Sequence, residues 1–233
     1  MGTLAIMTYN THFGKRIDRI IDWTNRLPVQ DIICFQEFPQ DKIQESMMVL
    51  GRTPYGWRFV PSFTFRSRVY GLLTLFRKDT LHLVSTSIAT FGIHPMERSI
   101  MKSSVPRSAL TTKFAYQKRV IRVTNVHFVS LALNRVRYTQ IESVATKLAK
   151  MPGASLIIGD FNISSIVGKK KMIRLLGQYG YVTVKAKLAT HRLAGIRHQY
   201  DYVFNKGCSI GNIMTVRIRL SDHYPLFAQC RLS

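Results

Sequence analysis

Short apolar segments of strand length recur along the whole chain, and amphipathic segments of helix length lie between some of them. The predicted strands are Leu4–Tyr9, Asp31–Gln36, Trp57–Pro61, Val69–Phe76, Leu81–Ser87, Ser108–Tyr116, Arg119–Val126, Ser155–Ile158, Tyr181–Lys185, Tyr200–Asn205, Ile213–Arg219 and Tyr224–Arg231. The predicted helices are Lys15–Leu27, Asp41–Leu50, Leu133–Met151 and Lys169–Tyr179. This mixture is typical of an α/β fold. No repeat or linker interrupts the 233 residues, so we expect one domain over residues 1–233.

The chain is strongly basic, with 34 Lys and Arg residues against 12 Asp and Glu residues and a formal net charge of +22. Residues 101–233 hold 22 of the basic residues and only four of the acids. A field of this sign attracts polyanions, either nucleic acid or an anionic membrane surface, although a protein that is merely basic has the same composition. We expect Glu97–Arg107 to form a long exposed loop, and we expect Lys102–Arg107, Lys169–Arg174 and Lys185–Arg197 to border a binding site.

Polar residues follow the ends of many predicted strands, and they include four of the 12 acids. The set is Asn10, Glu37, His127, Asp160, Asn162, Asp201, Asp222 and His223. Oxygen ligands on rigid strand ends suit Mg²⁺, which binds one or two carboxylates together with water and substrate phosphate. Cutting a phosphodiester needs a positioned water and neutralisation of charge on the phosphoryl oxygens, and these side chains supply both.

Each of these residues also has a structural explanation when it is taken singly. Asn10 can be a turn residue, and His127 can be a strand histidine with satisfied hydrogen bonds. Glu37 can stabilise the start of the helix that follows it. The clusters Gly159–Asn162 and Ser221–His223 are harder to explain as turns, because both are dense in polar groups and follow apolar segments.

Six short motifs occur along the chain: Thr8-Tyr9-Asn10, Gln36-Glu37, Asn125-Val126-His127, Gly159-Asp160-Phe161-Asn162, Tyr200-Asp201-Tyr202 and Ser221-Asp222-His223. In type and order they resemble the motifs of the endonuclease/exonuclease/phosphatase superfamily, which includes DNase I and exonuclease III. The start of a long helix, Arg137-x-x-Gln140, also resembles the family. The resemblance spans residues 8 to about 228. It implies a two-sheet β-sandwich flanked by helices, in four α/β/β/α layers, with the site at one edge.

The resemblance also implies a metal site and an attacking group. Glu37 would be the principal Mg²⁺ ligand, with Asn10 and Asp222 nearby, and Mn²⁺ would be able to replace Mg²⁺. Asp160 would orient or deprotonate the attacking water and would be held by Asn162.

Two histidines complete the set that the resemblance implies. His223 would contact the scissile phosphate, with its ring fixed by Asp201. His127 would assist the leaving group or bind a phosphate oxygen. Tyr70 stands where DNase-I-like enzymes carry an acidic partner for this histidine, so His127 is expected to lack one.

A nuclease with little sequence specificity, acting on DNA as an endonuclease, is the first hypothesis. Phosphate contacts are expected from Arg107, Lys169, Lys170 and Arg197, and Tyr70 is expected to stack on the substrate. Phe161 and Tyr200 can also stack, although ordinary core packing is the better explanation for at least two of these three aromatic residues.

Two other functions stay open. A phospholipid hydrolase of the sphingomyelinase type would share the catalytic set, and its apolar loop would have to be Phe63–Phe65. A basic module that binds nucleic acid without cutting it would need a broken site. The inositol polyphosphate phosphatases of this superfamily carry Cys-Asp-Arg where this chain has Tyr200-Asp201-Tyr202, so the resemblance argues against that activity.

The remaining expectations concern the setting of the protein. The first residues show no basic region followed by a long apolar block, and no segment has the roughly 20 apolar residues of a membrane span. Cys34, Cys208 and Cys230 are widely spaced and odd in number, which favours free thiols in a reducing compartment. We therefore expect a monomer in the cytoplasm.

Overall fold

The computed structural model describes residues 2–184, 186, 189–193 and 196–232. Its helices are α1 (Ile17–Asn25), α2 (Ile43–Val49), α3 (Pro95–Ile100), α4 (Asn134–Ala149) and α5 (Ile166–Gln178). Its strands are β1 (Thr3–Asn10), β2 (Ile32–Pro39), β3 (Tyr55–Phe65), β4 (Arg68–Arg77), β5 (His82–Thr90), β6 (Ser108–Tyr116), β7 (Arg119–His127), β8 (Ala154–Asp160), β9 (Val182–Thr183), β10 (His191–Leu193), β11 (Ile196–His198), β12 (Asp201–Lys206), β13 (Ser209–Thr215) and β14 (Leu226–Arg231).

Two six-stranded mixed sheets form the centre of the molecule. The first has the order β13-β14-β1-β2-β4-β3, and the second has the order β5-β6-β7-β8-β12-β9. Each sheet contains one parallel pair, β1 with β2 and β7 with β8. Because parallel strands run in the same direction, their carboxyl ends meet at one edge of the sheet. The predicted α/β class with two sheets and flanking helices is confirmed.

Apolar side chains of the two sheets pack against each other and form the central core. Ile6 and Cys34 of the first sheet belong to the same buried cluster as Val123 and Leu156 of the second. Helices α1 and α2 cover the outer face of the first sheet, and α4 and α5 cover the outer face of the second. The central strands are therefore buried on both faces, which explains their nearly continuous apolar sequences.

A buried polar bridge connects the two sheets close to the ends of the parallel strands. The Gln36 Nε2 atom donates to Asn125 Oδ1 at 2.7 Å and to Thr8 Oγ1 at 3.0 Å. The Asn125 Nδ2 atom donates to the carbonyl oxygens of Phe35 and Leu73 at 3.1 and 3.2 Å. Buried polar groups cost free energy unless they are hydrogen-bonded, so this bridge favours one docking of the sheets.

Replacing Asn125 with leucine should lower the free energy of unfolding by about 1–3 kcal/mol, because the partners of its amide lose a hydrogen bond inside the core. Urea titration followed by circular dichroism measures the change. The control is Asn212→Leu on an exposed position of β13, which should shift stability by less than about 0.5 kcal/mol. An equal effect of the two substitutions would contradict a structural role of the bridge.

The expected exposed loop Glu97–Arg107 is wrong in its first part and at both ends, whereas residues between them such as Lys102 and Ser104 are exposed and lie outside helices and strands. Helix α3 occupies its first part, and Glu97 and Arg107 are each only 1% exposed. The helix begins with Pro95 in its first turn, and the His94 side chain accepts a hydrogen bond from the Met96 backbone N–H. Both features are typical helix starts. The charged side chains of Glu97 and Arg107 can be buried because they form an ion pair with each other.

Other differences concern the ends of elements. The β10–β11 hairpin is not predicted by the sequence, and the predicted strand Ile213–Arg219 ends earlier, at Thr215. The predicted strand Tyr181–Lys185 is reduced to the two residues of β9, and Lys185 lies outside the described residues. Among the described helices, none combines the length and the apolar character that crossing a membrane requires.

Candidate active site

The carboxyl ends of the two parallel strand pairs lie against each other across the sandwich. Asn10 ends β1, and the Glu37 side chain leaves β2 close by. His127 and Asp160 end β7 and β8 and are paired in register. The first residue of β12, Asp201, pairs with Asp160. One edge of the sandwich therefore brings together most of the polar residues that the sequence analysis selects.

Glu37 lies on a distortion of its strand. Its φ is 55°, and the register between β2 and β4 shifts between Phe35 and Phe38. A bulge of this kind redirects a side chain away from the regular alternation. The carboxylate accepts hydrogen bonds from Asn10 Nδ2 at 3.2 Å and from the Phe13 backbone N–H at 2.7 Å. Burial nevertheless raises the pKa of Glu37 to about 7.

The Oδ2 atom of Asp160 is at the centre of the site. It accepts a hydrogen bond from Asn10 Nδ2 at 3.0 Å and lies 3.6 Å from the Nε2 atoms of both His127 and His223. Its other oxygen accepts from the Asn162 backbone N–H at 2.8 Å. Asn162 therefore holds Asp160 through its backbone N–H. The Asn162 side chain donates instead to the carbonyl oxygen of Phe128, the residue that follows β7. Burial raises the pKa of Asp160.

Gly159 allows the close approach that places Asp160. Its φ is 135°, and a Cβ atom there would lie 2.1 Å from the carbonyl oxygen of Val126 on β7. Any larger residue would push β8 away from β7 and would separate Asp160 from His127. The glycine in this motif is therefore required by the backbone.

His223 is held as a cation by the carboxylates around it. Its Nδ1 atom is 2.8 Å from Asp201 Oδ2, the pairing that the resemblance implies. Burial lowers the pKa of the ring, but Asp201 and then Asp160 outweigh that effect and raise it to about 10. At neutral pH the ring is an imidazolium whose Nε2–H points towards Asp160.

His127 has no acidic partner in the position that the resemblance concerns, and the arginine Arg107 contacts its ring instead. The Arg107 Nη1 atom is 2.9 Å from His127 Nδ1, and Arg107 in turn binds Glu97 Oε1 through its Nε and Nη2 atoms at 2.9 and 2.6 Å. The guanidinium also lies 4.3 Å from the centre of the Phe63 ring. Because arginine only donates, His127 Nδ1 must accept and its proton is on Nε2. Burial and then Arg107 lower the pKa of His127 well below its ordinary value, so the ring is neutral.

Replacing Glu97 with glutamine should lower the free energy of unfolding by about 1.5–3 kcal/mol, because the buried guanidinium of Arg107 loses its charged acceptor. Thermal and urea unfolding measure the loss. The matched control is Asp41→Asn, since Asp41 also binds an arginine through two nitrogens but is 59% exposed. Exposed pairs contribute about 0–1 kcal/mol. Equal losses in the two variants would contradict this account.

Asp222 lies on the other side of His223 and contacts two further histidines. Its Oδ1 atom is 3.2 Å from His12 Nδ1, and its Oδ2 atom is 3.7 Å from His191 Nε2. Burial alone would raise the pKa of Asp222, but His191, then His223 and His12, lower it. The His191 and His223 rings are in edge contact, with centres 4.6 Å apart. Asp222 thus lies among histidines.

The predicted substrate contacts fall into two groups. Arg107 is buried in its ion pair, and Tyr70 is buried and stacked on Phe63, so both are corrected from surface residues to core residues. Phe161 is fully buried as well. Lys170 and Arg197 are exposed, on α5 and β11.

Two other predicted contact residues, Lys169 and Tyr200, are only partly exposed. Lys169 is half-buried at the start of α5. Tyr200 is half-buried beside His191, with ring centres 4.6 Å apart. Part of the predicted border Lys185–Arg197 lies outside the described residues. The substrate roles of Lys169, Lys170 and Arg197 stay predictions.

Three residues near the site are missed by the sequence analysis. Glu97 belongs to no recognisable motif, although the scarcity of acids and the His-Pro helix start before it are usable signals. His12 and His191 are separated by most of the chain and meet only at Asp222. Nothing in their local sequence distinguishes them from surface histidines.

Several of these groups are able to hold a metal ion. Ligand atoms of Asp160, Asp201 and His223 lie within 4.8 Å of one another, and so do those of His191, Asp222 and His223. His223 belongs to both groups, and a protonated imidazole does not bind metals. The carboxylate of Glu37 and the amide of Asn10 offer hard oxygen donors instead. A cation beside Glu37 would favour its ionised form, which burial disfavours.

Comparisons with known proteins identify the family and the fold of the chain. The sequence profile of the Endonuclease/Exonuclease/phosphatase family matches residues 7–223. A UPF0294 protein of Yersinia pseudotuberculosis is 23% identical over 172 residues, which are 73% of this chain but 62% of the relative. The chain thus spans less than two thirds of the length of that relative.

Solved structures with low sequence identity share the fold. An endonuclease/exonuclease/phosphatase from Bacteroides vulgatus superposes with a TM-score of 0.81 at 17% identity over all of both chains. D. rerio TDP2 complexed with single strand DNA product gives 0.74 at 13% identity, over 99% of this chain and all of the other. ANGEL2, a 2',3'-cyclic phosphatase, gives 0.74 at 15% identity, over 99% and 95%. Because the family profile matches residues 7–223, the chain belongs to the endonuclease/exonuclease/phosphatase family, whose members are hydrolases acting on phosphate esters.

Proposed function

We propose that this protein is a Mg²⁺-dependent phosphodiesterase that hydrolyses nucleic acid, with DNA as its first substrate and with cleavage inside the strand. One observation carries the proposal: a single carboxylate oxygen, Asp160 Oδ2, lies 3.6 Å from the Nε2 atoms of two different histidines. A carboxylate base in this position can bind the attacking water, while the two histidines on either side donate hydrogen bonds to the phosphate group that the water attacks.

Asp160 is the group that takes the proton of the attacking water. Its burial raises its pKa, which makes the carboxylate a stronger base than an exposed aspartate. The Asn10 amide and the Asn162 backbone N–H fix both of its oxygens, so the carboxylate keeps one orientation during the reaction. The proton moves from the water oxygen to Asp160 as that oxygen forms its bond to phosphorus, and the leaving oxygen departs with the electron pair of the broken bond and takes a proton from solvent.

The two histidines act differently because their charges differ. His223 is an imidazolium and stabilises the negative charge that builds up on a phosphoryl oxygen. His127 is neutral with its proton on Nε2, so it donates a hydrogen bond to a second oxygen without adding a charge. Asp201 and Arg107 hold the two rings from behind.

Glu37 and Asn10 would hold Mg²⁺, and Asp222 stays a further predicted ligand. The ion would supply positive charge to the phosphoryl and leaving oxygens. Carboxylate and amide oxygens suit Mg²⁺ better than softer metals, and Mn²⁺ has similar ligand preferences.

The charge of the protein supports nucleic acid as the substrate. The net charge of +22 attracts a polyanion, and Lys170 and Arg197 are exposed cations on segments predicted to border the site. Such contacts bind phosphates without reading sequence.

The test is nicking of supercoiled plasmid by the purified chain with Mg²⁺, with EDTA, and by the Asp160→Asn variant. The matched control is Asp79→Asn, an exposed aspartate that follows β4 at the end of the sheet away from Glu37. Nicking that needs both Mg²⁺ and Asp160 and survives in the control is the expected result. Parallel reactions contain single-stranded RNA and sphingomyelin vesicles. If the protein hydrolyses only the RNA or only the sphingomyelin, that compound replaces DNA as the proposed substrate. If the protein binds DNA but hydrolyses none of the three, the proposal that it is an enzyme is contradicted.

Cleavage of a long duplex should weaken steeply with salt, because each phosphate contact releases counterions. We expect kcat/KM to fall by about 10-fold or more between about 50 and 200 mM NaCl. The comparison substrate is bis(p-nitrophenyl) phosphate, which carries one negative charge and should respond far less. A duplex rate that does not depend on salt would remove the basic surface from substrate binding.

A further inference from the structure

A basic pocket adjoins the active site on the far side of Asp222. The cavity has a volume of about 420 Å³. Its cationic lining consists of Lys15 and Arg16 from the loop between β1 and α1, Arg192 of β10, and Arg219 from the loop before β14. Three separate parts of the chain thus direct positive charge towards one cavity.

The cations of the basic pocket have no carboxylate partner among the described residues. All four side chains are exposed, and none forms an ion pair within 4.0 Å in that part of the chain. Arg16 donates instead to the carbonyl oxygen of Arg219, which holds the two loops together. Elsewhere on the surface, arginines such as Arg68 and Arg77 do form ion pairs. The basic pocket therefore keeps a positive field that an anion would neutralise.

Asp222 is the one acid among the described residues that line the basic pocket, and it is already paired. Asp222 contacts His12 and His191, at 3.2 and 3.7 Å. His12 Nε2 lies 2.9 Å from Lys15 Nζ, so the ammonium donates to it and the proton of His12 is on Nδ1, facing Asp222. The negative charge of Asp222 is thus directed to the histidines, and the four cations remain for a ligand.

Asp222 is the boundary between the basic pocket and the catalytic groups, because the next residue, His223, faces Asp160. An anion in the basic pocket would lie beside a phosphate bound at His223 and would be separate from it. Neighbouring phosphates of one polynucleotide strand have this relation. Arginine favours phosphate in particular, since its planar group donates two parallel hydrogen bonds.

We propose that the basic pocket binds a second phosphate group of the same substrate, next to the phosphate that is hydrolysed. This inference rests on the proposed function. The second phosphate is either the neighbouring phosphodiester of the strand or a terminal phosphate monoester, because both present negatively charged non-bridging oxygens. The enzyme should then prefer a substrate with two adjacent phosphates to one with a single phosphate.

The test compares three substrates: a dinucleotide with one phosphodiester, the same dinucleotide with an added terminal phosphate, and a trinucleotide. The readout is the ratio of kcat/KM for each two-phosphate substrate to that for the one-phosphate substrate. We expect a ratio of about 10 to 100 in the wild-type protein. Arg16→Gln, Arg192→Gln and Arg219→Gln combined should bring the ratio close to one. A preference for only one of the two-phosphate substrates would identify the source of the second phosphate.

A charge-matched control removes three exposed cations at the opposite end of the sandwich, Lys118→Gln, Arg119→Gln and Lys150→Gln. It should keep the wild-type ratio. A pocket variant that keeps the full ratio, or a control that loses it equally, would overturn the proposal.

A binding measurement separates this proposal from the proposed function. Fluorescence anisotropy gives the Kd of a labelled trinucleotide for the Asp160→Asn protein in EDTA, with and without the three pocket substitutions. An increase in Kd of about 10-fold or more supports the basic pocket even if the wild-type protein cleaves no nucleic acid, a result that would contradict only the proposed function. An unchanged Kd would overturn the pocket proposal.

Discussion

Replacing Asp160 with asparagine should lower kcat for phosphodiester hydrolysis by about 100- to 10,000-fold, the range expected when a general base is lost. The side chain keeps its size, and its Oδ1 atom can still accept from the Asn162 backbone N–H. The substitution removes the ability to take a proton from water and removes a negative charge beside His223. We therefore expect a large change in kcat with little change in KM.

The control for this experiment is Asp31→Asn, a second buried aspartate. Its Oδ2 atom accepts from the Ala5 backbone N–H at 2.8 Å, at the start of β2 and far from the strand ends that form the site. It should lose stability and keep its kcat. Steady-state kinetics and urea unfolding of both variants distinguish the two kinds of loss. If the Asp160→Asn variant keeps the wild-type kcat, Asp160 is not the base.

Replacing Asp201 with asparagine should lower kcat by about 100-fold or more, although Asp201 does not reach the substrate. Its carboxylate holds the ring of His223 at 2.8 Å and makes the strongest favourable contribution to the charge of that ring. An asparagine can hold the ring but cannot stabilise its charge. The loss should be smaller than for Asp160, because the water and its base stay in place.

The pH dependence distinguishes a loss of charge from a loss of structure. His223 has a pKa raised to about 10, so activity that needs the imidazolium persists up to about pH 10 and falls above it. Without Asp201 that pKa falls, and the alkaline limb of the kcat profile should move to lower pH. The same raised pKa stabilises the fold fully below the unfolded value of 6.5, and this stabilisation is lost as pH rises through about 10. An alkaline limb that does not move would show that Asp201 acts through packing alone.

The sequence predicts the part of the site that depends on strand ends. Asn10, Glu37, His127 and Asp160 each follow an apolar run, and the parallel pairing of β1 with β2 and of β7 with β8 brings those ends together. The period of two along a strand and the order of the motifs are both visible in one dimension, so the fold class is predictable as well.

The sequence does not predict which charged groups are buried. Glu97 and Arg107 lie in a segment of ordinary surface composition, and only their mutual ion pair allows burial. Tyr70 is equally ambiguous, because an aromatic residue on a strand fits a substrate face and a core face equally well. The bulge at Glu37 depends on pairing with a distant strand, so no local pattern reveals it. Long-range partners decide each of these cases.

The division of the site between two sheets has a consequence for protein synthesis. Asn10 and Glu37 are translated well before Asp201 and His223, which follow them by more than 150 residues. A growing chain that has passed residue 160 already carries 22 of the 34 basic residues that the proposal assigns to binding nucleic acid, yet it still lacks His223 and its partner Asp201. Hydrolysis by the proposed mechanism therefore begins only after the last strands have joined both sheets, so the capacity to cut would follow the capacity to bind during biosynthesis.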